Sequence, residues 1–261
     1  MENVARKRLI QEYYSKRAKD YDRQKNRTWR SSQGFAIEIT GELMSALAGF
    51  KKRLLLEVGV GSGRNAIPLL ASIEPKLVGV DISLEMLQQA RTKAKPFKKN
   101  FMVIQGDVEH LPLARNVFDA IVCMSTMHYF SSTTDILQAL RAAMNEKGLL
   151  VYGDLTLHEM DSRGFLDKLE KTISKAHARY FKPSEIKNLI EKSGFRVARM
   201  KTISYRKAYS SLMEDKAEYF KVPPKQLTGC IQKADSETKH QYGLTDTELI
   251  LYYTMIVATK N

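Results

Sequence analysis

At 261 residues the chain is long enough for one large domain, and 43% hydrophobic residues suffice for a core. No apolar run approaches the roughly 18–20 residues of a membrane span, and the opening MENVARKRLIQEYY carries charges where a signal peptide would be apolar. A cytoplasmic protein is therefore expected, and its two cysteines, Cys123 and Cys230, are too few for a disulfide framework or a cysteine-based zinc site, so no metal is expected.

The net charge is +13, and part of the excess is local: up to Arg30 there are ten Lys or Arg residues, Lys25, Arg27 and Arg30 among them, and four acids. Such a segment suits an anionic partner such as RNA, or simply a solvated surface. The first twenty residues read as a charged helix with Val4, Leu9, Ile10, Tyr13 and Tyr14 on one side. A second helix spans Gly34–Leu47, with Ile37, Leu43, Met44 and Leu47 at helical spacing. Residues 1–50 thus form a helical cap.

From residue 51 the pattern alternates between strand and helix. Arg53–Val58 is a short apolar run, as expected of a strand buried on both faces of a parallel sheet. A helix follows over about Arg64–Ser72, with Pro68 in its first turn. Leu77–Val80 is the second strand. Ser83 caps the next helix, whose Leu84, Leu87 and Ala90 face the sheet. Phe101–Ile104 and Phe118–Met124 are the third and fourth strands. Ile136, Leu137, Leu140 and Met144 form a helical stripe, and Gly148–Tyr152 is the fifth strand. Repeated βα units imply a parallel sheet with right-handed crossovers and helices on both faces.

Beyond residue 155, His158–Ala176 reads as helix. Pro183 opens another helix that Gly194 closes. Phe195–Tyr205 and Glu248–Thr259 are strand-like. Residues 206–247 are polar and Lys-rich, with Pro223-Pro224 as a breaker. They read as a helical insertion over one end of the sheet, either a scaffold extension or a lid over an acceptor pocket, within one structural domain overall.

The chemistry centres on Glu57-Val-Gly59-Val-Gly61-Ser-Gly63. Glycines at a strand-to-helix turn permit positive φ and let a ligand lie against bare backbone. Dinucleotide folds use G-x-G-x-x-G, with a pyrophosphate on the helix N-terminus. Here the spacing is G-x-G-x-G, and Glu57 would repel a pyrophosphate. It would pair instead with an ammonium group, directly or through water, which favours a zwitterionic amino-acid ligand over NAD. Asp81 ends the second strand, where an acid accepts from both hydroxyls of a ribose. Asp107, in Gly106-Asp107-Val108, can accept from an adenine amine; the other reading is an Asp turn.

In order and spacing, LLLEVGVGSGRNAIPLL, LVGVDISLEMLQQAR, VIQGDVEHLPLARNVFDAIVCMSTMHYF and ALRAAMNEKGLLVYGDL resemble the successive motifs of Rossmann-like (class I) methyltransferases. Within that family the similarity is greatest to the group containing the ubiquinone/menaquinone-biosynthesis enzymes, over about residues 10–155. The resemblance implies S-adenosylmethionine as cofactor and an α/β, doubly wound, seven-stranded, mostly parallel sheet with an antiparallel last strand. It implies that Glu57, Gly59 and Gly61 line the methionine end, Asp81 and Ile82 the ribose and adenine, Asp107 and Val108 the adenine, and Met124 and Ser125 the floor near the methyl group. YYSKRAKDYD resembles the family's cap segment and places Tyr14 and Tyr21 near the cofactor. Glu146-Lys147-Gly148 departs from the family's L-x-P-G-G turn.

His128, after the fourth strand, is the first candidate for a general base; the other reading is a structural histidine. Asp154 and His158 are weaker candidates. Tyr129, Tyr205 and Tyr209 are candidates for the acceptor pocket. The leading expectation is methyl transfer to a small molecule. The alternative is a tRNA or protein methyltransferase using the basic N-terminal segment. A nicotinamide-dependent oxidoreductase is disfavoured by the glycine spacing and Glu57, and a non-catalytic binding module by the intact glycines and Asp81.

Overall fold

Strand β1 (Leu54–Val58) is buried along nearly its whole length, because it lies at the centre of a seven-stranded sheet with helices on both faces. The computed structural model describes residues 2–23, 33–212 and 219–260. Lys25, Arg27 and Arg30 of the basic segment, and 213–218 of the insertion, lie outside the described residues.

In chain order the elements are α1 (Glu2–Arg17), α2 (Gln33–Leu47), β1, α3 (Ala66–Ile73), β2 (Lys76–Asp81), α4 (Leu84–Lys93), β3 (Phe101–Gln105), β4 (Phe118–Met124), α5 (Thr133–Ala143) and β5 (Met144–Thr156). There follow α6 (Phe165–Ile173), α7 (Pro183–Lys192), β6 (Phe195–Ala208), α8 (Pro224–Gln232), α9 (Ser236–Gln241) and β7 (Glu248–Lys260). The sheet order is β3-β2-β1-β4-β5-β7-β6. The first five strands are parallel, and β7 runs antiparallel to both β5 and β6. Strand order reverses between β1 and β4, so a crevice opens there at the carboxyl ends of the strands.

The period-two alternation of strands distributes the core between two layers. Leu55, Ala120, Val122 and Val151 face α2, α3 and α4. Leu56, Val58, Ile121, Cys123 and Leu150 face α5 and α7. Each fully buried leucine contributes roughly 1.5–3 kcal/mol. Glu57 shares the face of Leu55, so its carboxyl lies beneath the glycine turn and the start of α3.

Several sequence expectations shift locally. Leu84 opens α4 at the rim and is exposed, while Met86, Leu87 and Ala90 are buried. Ile37 and Val4 are also exposed. Ile37 lies two residues from both Phe35 and Ile39, which bury the opposite side of α2. The helix expected over His158–Ala176 is only α6. Residues 158–164 are a turn held by Asp161, whose carboxylate accepts from the backbone N–H groups of Arg163, Gly164 and Phe165 and from the Tyr242 hydroxyl. Met144 starts β5 rather than ending a helix. The atypical Glu146-Lys147-Gly148 lies in a bulge between the pairs Phe118–Met144 and Ala120–Leu149.

The insertion is helical, but α8 and the turn after α9 pack against α6 and β7 in a cluster that includes Leu227, Ile231, Tyr242, Leu169 and Leu251. Among the described residues it also touches α1, where Phe220 stacks on Tyr13 at 5.5 Å between ring centroids. No helix among the described residues is long and apolar enough to cross a membrane.

Candidate active site

The crevice is a cavity of about 280 Å3 at the carboxyl ends of the strands. Its wall takes in Tyr14, Tyr21, Gly59, Gly61, Asp81, Ile82, Asp107, Val108, Met124 and Ser125, all singled out from the sequence, together with His128, Tyr129, Asp154 and Tyr205. Tyr209 does not line it; that residue follows β6 in a single helical turn, and its hydroxyl donates to the Thr245 carbonyl at 3.0 Å. His158 is likewise elsewhere, packed against Tyr242 and Tyr252. None of the described residues between 206 and 247 lines the cavity.

The glycine turn forms because the chain must reverse from β1 into α3 within a few residues. Gly59, Gly61 and Gly63 all have positive φ, at 70°, 53° and 81°. Gly59 has a second reason to be glycine: a Cβ there would lie 2.2 Å from the Thr126 Oγ1 at the end of β4.

Glu57 is not itself at the wall but lies directly behind it, 1% exposed. Asn65 at the wall donates its side-chain amide to Glu57 Oε1 at 3.1 Å, while Oε2 is buried without a partner among the described residues. Asn65 stands at the N-cap of α3 yet does not cap it: its backbone is already helical, at φ −89° and ψ −39°, and its amide N–H donates to Glu57. Burial pushes the Glu57 carboxyl up to about 8, against the lowering effect of Asn65 and with a further push from Asp81.

Asp81 ends β2, and its oxygens accept from the N–H groups of Gly61 at 2.8 Å and Ser83 at 2.9 Å. Burial raises its pKa, and the Ser83, Gly61 and Ile82 amides oppose that rise. The carboxylate therefore ties the glycine turn to the start of α4, where Ser83 caps the helix by accepting from Met86 N–H.

Asp107 is held by a residue the sequence did not nominate. Lys7, on α1, contacts its carboxylate and that of Glu109, the latter at 2.6 Å. Burial alone would raise Asp107, but Lys7 and His110 hold it below the ordinary carboxylate range. Helix α1 thus closes over the cavity, also through a 2.9 Å contact between the Tyr14 and Tyr129 hydroxyls.

Beyond β4 the wall changes character. Ser125 adopts φ 52°, strained for a non-glycine residue, and its hydroxyl meets the Tyr253 hydroxyl at 3.0 Å. Phe35 stacks on Tyr205 at 3.8 Å and meets Tyr253 edge-on at 5.6 Å. Asp154, 1% exposed at the end of β5, accepts from the His128 ring Nδ1 at 2.8 Å, His128 N–H at 3.2 Å and Leu155 N–H at 2.9 Å. In the neutral ring the carboxylate holds the proton on Nδ1, which places the lone pair on Nε2. Nε2 is buried and has no partner among the described residues.

Lys7, Asn65, Phe35, Tyr180 and Tyr253 also line the wall and were missed from the sequence. Asn65 left a local signal, an amide eight residues after Glu57 at a helix start. The others left none, being an ordinary lysine in a basic helix and aromatic residues indistinguishable from core.

Comparison with known proteins fits this geometry. Residues 55–148 match the family model of the methyltransferase domain. The chain is similar to the ubiquinone/menaquinone biosynthesis C-methyltransferase of Syntrophotalea carbinolica, at 25% identity over 61% of this chain and 74% of that one. The YcgJ protein of Bacillus subtilis has the same fold, with a TM-score of 0.73, 20% identity and coverage of 86% and 99% of the two chains. Residues 55–148 are thus a methyltransferase domain, set in the sheet order and fold of the class I methyltransferases. Among methyltransferases the chain is also similar to the malonyl-[acyl-carrier protein] O-methyltransferase of Legionella pneumophila, at 30% identity over 56% of this chain. The chain spans about half the length of that relative, 49%.

Proposed function

We propose that this protein transfers a methyl group from S-adenosylmethionine to a small-molecule acceptor. One observation carries the reading. Ten residues nominated for the cofactor line a single cavity at the strand-order reversal. The donor set fits the group: a buried carboxyl with an orphaned oxygen stands behind Asn65, where an ammonium would restore a partner. In this reading Gly59, Gly61 and Asn65 hold the methionine end with Glu57 behind them, Asp81 the ribose, and Asp107 with Val108 the adenine. When bound, the cofactor supplies an electrophilic methyl carbon on a sulfonium. The protein would orient the acceptor, exclude water with α1, and offer the cation the aromatic rings of Tyr14, Tyr21 and Tyr129 in the cavity wall.

A small acceptor suits the charge of the wall. Among the described residues the lysine and arginine of the lining are Lys7 and Arg64, and both have acidic neighbours: Asp107 and Glu109 for Lys7, Asp22 at 3.9 Å for Arg64. A phosphate of RNA, or a carboxylate such as a malonyl group, finds no uncommitted cation there.

Asp81→Ala is expected to weaken S-adenosylmethionine binding about a hundredfold or more, since two hydrogen bonds to a charged group are lost. Asp81→Asn, which keeps one acceptor oxygen, should lose less. Calorimetric titration reads both, and unchanged affinity in the alanine variant removes the ribose assignment.

A further inference from the structure

The end of the cavity beyond β4 holds chemistry that donor binding does not use. Its residues are Phe35, Tyr205, Tyr253, Tyr180 and the pair His128–Asp154. We propose that His128, positioned by Asp154, is the general base for a neutral, planar acceptor bearing an acidic hydroxyl, a phenol or an enol, held against the Phe35, Tyr205 and Tyr253 rings. The inference rests on the methyltransferase reading and names the acceptor class for the same site.

The argument begins with the tautomer. Asp154 accepts from three N–H groups at 2.8–3.2 Å, and this fixes the ring and directs the lone pair to Nε2. His128 belongs to the cavity wall, and its Nε2, buried and without a partner among the described residues, is left needing a donor. A hydroxyl supplies one; a thioether or a quaternary amine does not.

The neighbouring phenols do not compete for the role. Burial pushes the Tyr129 and Tyr253 hydroxyls well above their ordinary range, so near neutral pH they stay protonated. Flat aromatic walls favour a planar partner, and stacked or edge-on pairs add about 0.5–1.5 kcal/mol each beyond area. No lining cation among the described residues is uncommitted, so the acceptor enters neutral.

The step balances. The acceptor O–H bond breaks and its proton goes to His128 Nε2. The oxygen's electron pair forms the new bond to the methyl carbon. The carbon–sulfur bond breaks with its pair returning to sulfur, so the positive charge passes from the sulfonium to the imidazolium, where Asp154 is the adjacent anion. General-base assistance of this kind contributes about 10²–10⁴-fold to rate.

The test reads proton transfer without turnover. The protein is first loaded with S-adenosylhomocysteine, its binding checked by calorimetry, and 4-nitrophenol is then titrated in at a pH where the free probe is protonated. Wild type is expected to show the nitrophenolate absorption band on binding. His128→Gln should bind the probe with that band lost, and Asp154→Asn should weaken it, both with S-adenosylhomocysteine affinity retained. In wild type 4-nitrobenzoate should bind more weakly than 4-nitrophenol by about tenfold or more. The proposal is overturned by a loaded wild type that shows no band, by a band unchanged in His128→Gln, or by nitrobenzoate binding as tightly as the phenol. The nitrobenzoate comparison needs no variant, so it stands even if a substitution prevents folding. Failure of wild type to bind S-adenosylhomocysteine sinks the methyltransferase reading instead.

Discussion

Replacing Glu57 with Gln is expected to stabilise the ligand-free protein while weakening cofactor binding. Burial pushes the Glu57 carboxyl in the fold up to about 8, from an ordinary value of 4.5. A raised carboxyl pKa favours the fold fully below the unfolded value, and that advantage is lost as pH rises from about 4.5 toward 8. At pH 7 the difference amounts to about 3 kcal/mol, because the unfolded chain ionises the group and the fold resists it. Glutamine is neutral in both states. The stability gap between variant and wild type should therefore be small near pH 4.5, widen through neutrality and level off above pH 8. Urea denaturation across that range measures it, and a gap independent of pH contradicts the burial argument.

The same substitution is expected to weaken S-adenosylmethionine binding about 10–100-fold, as for a lost hydrogen bond to a charged group. An ammonium beside Glu57 requires the carboxylate, so wild-type binding at pH 7 should release close to one proton. Calorimetry in buffers of different ionisation enthalpy counts that proton. Glu57→Gln should release about one fewer.

Gly59→Ala is expected to destabilise the protein by about 2–4 kcal/mol, the sum of a left-handed alanine and an overpacked contact. Its φ is 70°, and the new Cβ would meet the Oγ1, Cγ2 and Cβ of Thr126 at 2.2, 2.5 and 2.9 Å. Thr126 cannot swing aside freely, since its hydroxyl donates to the Met124 carbonyl at 2.9 Å. Gly61→Ala is the control: φ is also positive, at 53°, but the nearest atom is the flexible end of Met86 at 3.3 Å. Gly59→Ala should therefore lose clearly more in a denaturant titration than Gly61→Ala. Adding Thr126→Gly to Gly59→Ala should return part of that difference. Equal losses at the two positions would show that the contact with Thr126 is unimportant.

The cofactor end was legible because its signals are local. β1, the glycine spacing and Asp81 follow from a strand that must turn tightly into a helix and from an acid at the next strand's end. Each of those features fits in a window of about ten residues, where periodicity and turn chemistry apply. Helix faces read from composition were less secure: Ile37 and Leu84 look like core residues in a list of apolar positions. One faces away from its neighbours on the helical wheel, and the other precedes the part of the helix that covers the sheet.

The acceptor end was legible only as separate residues. His128 and Asp154 could each be named, but their contact depends on β4 and β5 being parallel neighbours. Tyr205 and Tyr253 stand on paired strands, and Phe35 reaches them from a helix more than a hundred residues earlier. Tyr209, four residues beyond Tyr205, turns away from the cavity once β6 has ended.

By itself, the sequence determined the strand–glycine-turn–helix unit, the order of the βα repeats and the acidic residues at the strand ends, because steric limits and hydrophobic periodicity act between near neighbours. Tertiary structure decided that Lys7 meets Asp107 across a separation of one hundred residues. It decided that Asn65 serves Glu57 instead of its own helix, and that Asp154 leaves the His128 lone pair on Nε2. Those pairings are settled by desolvation: a charge or a polar atom taken out of water must find its partner wherever the fold has brought one.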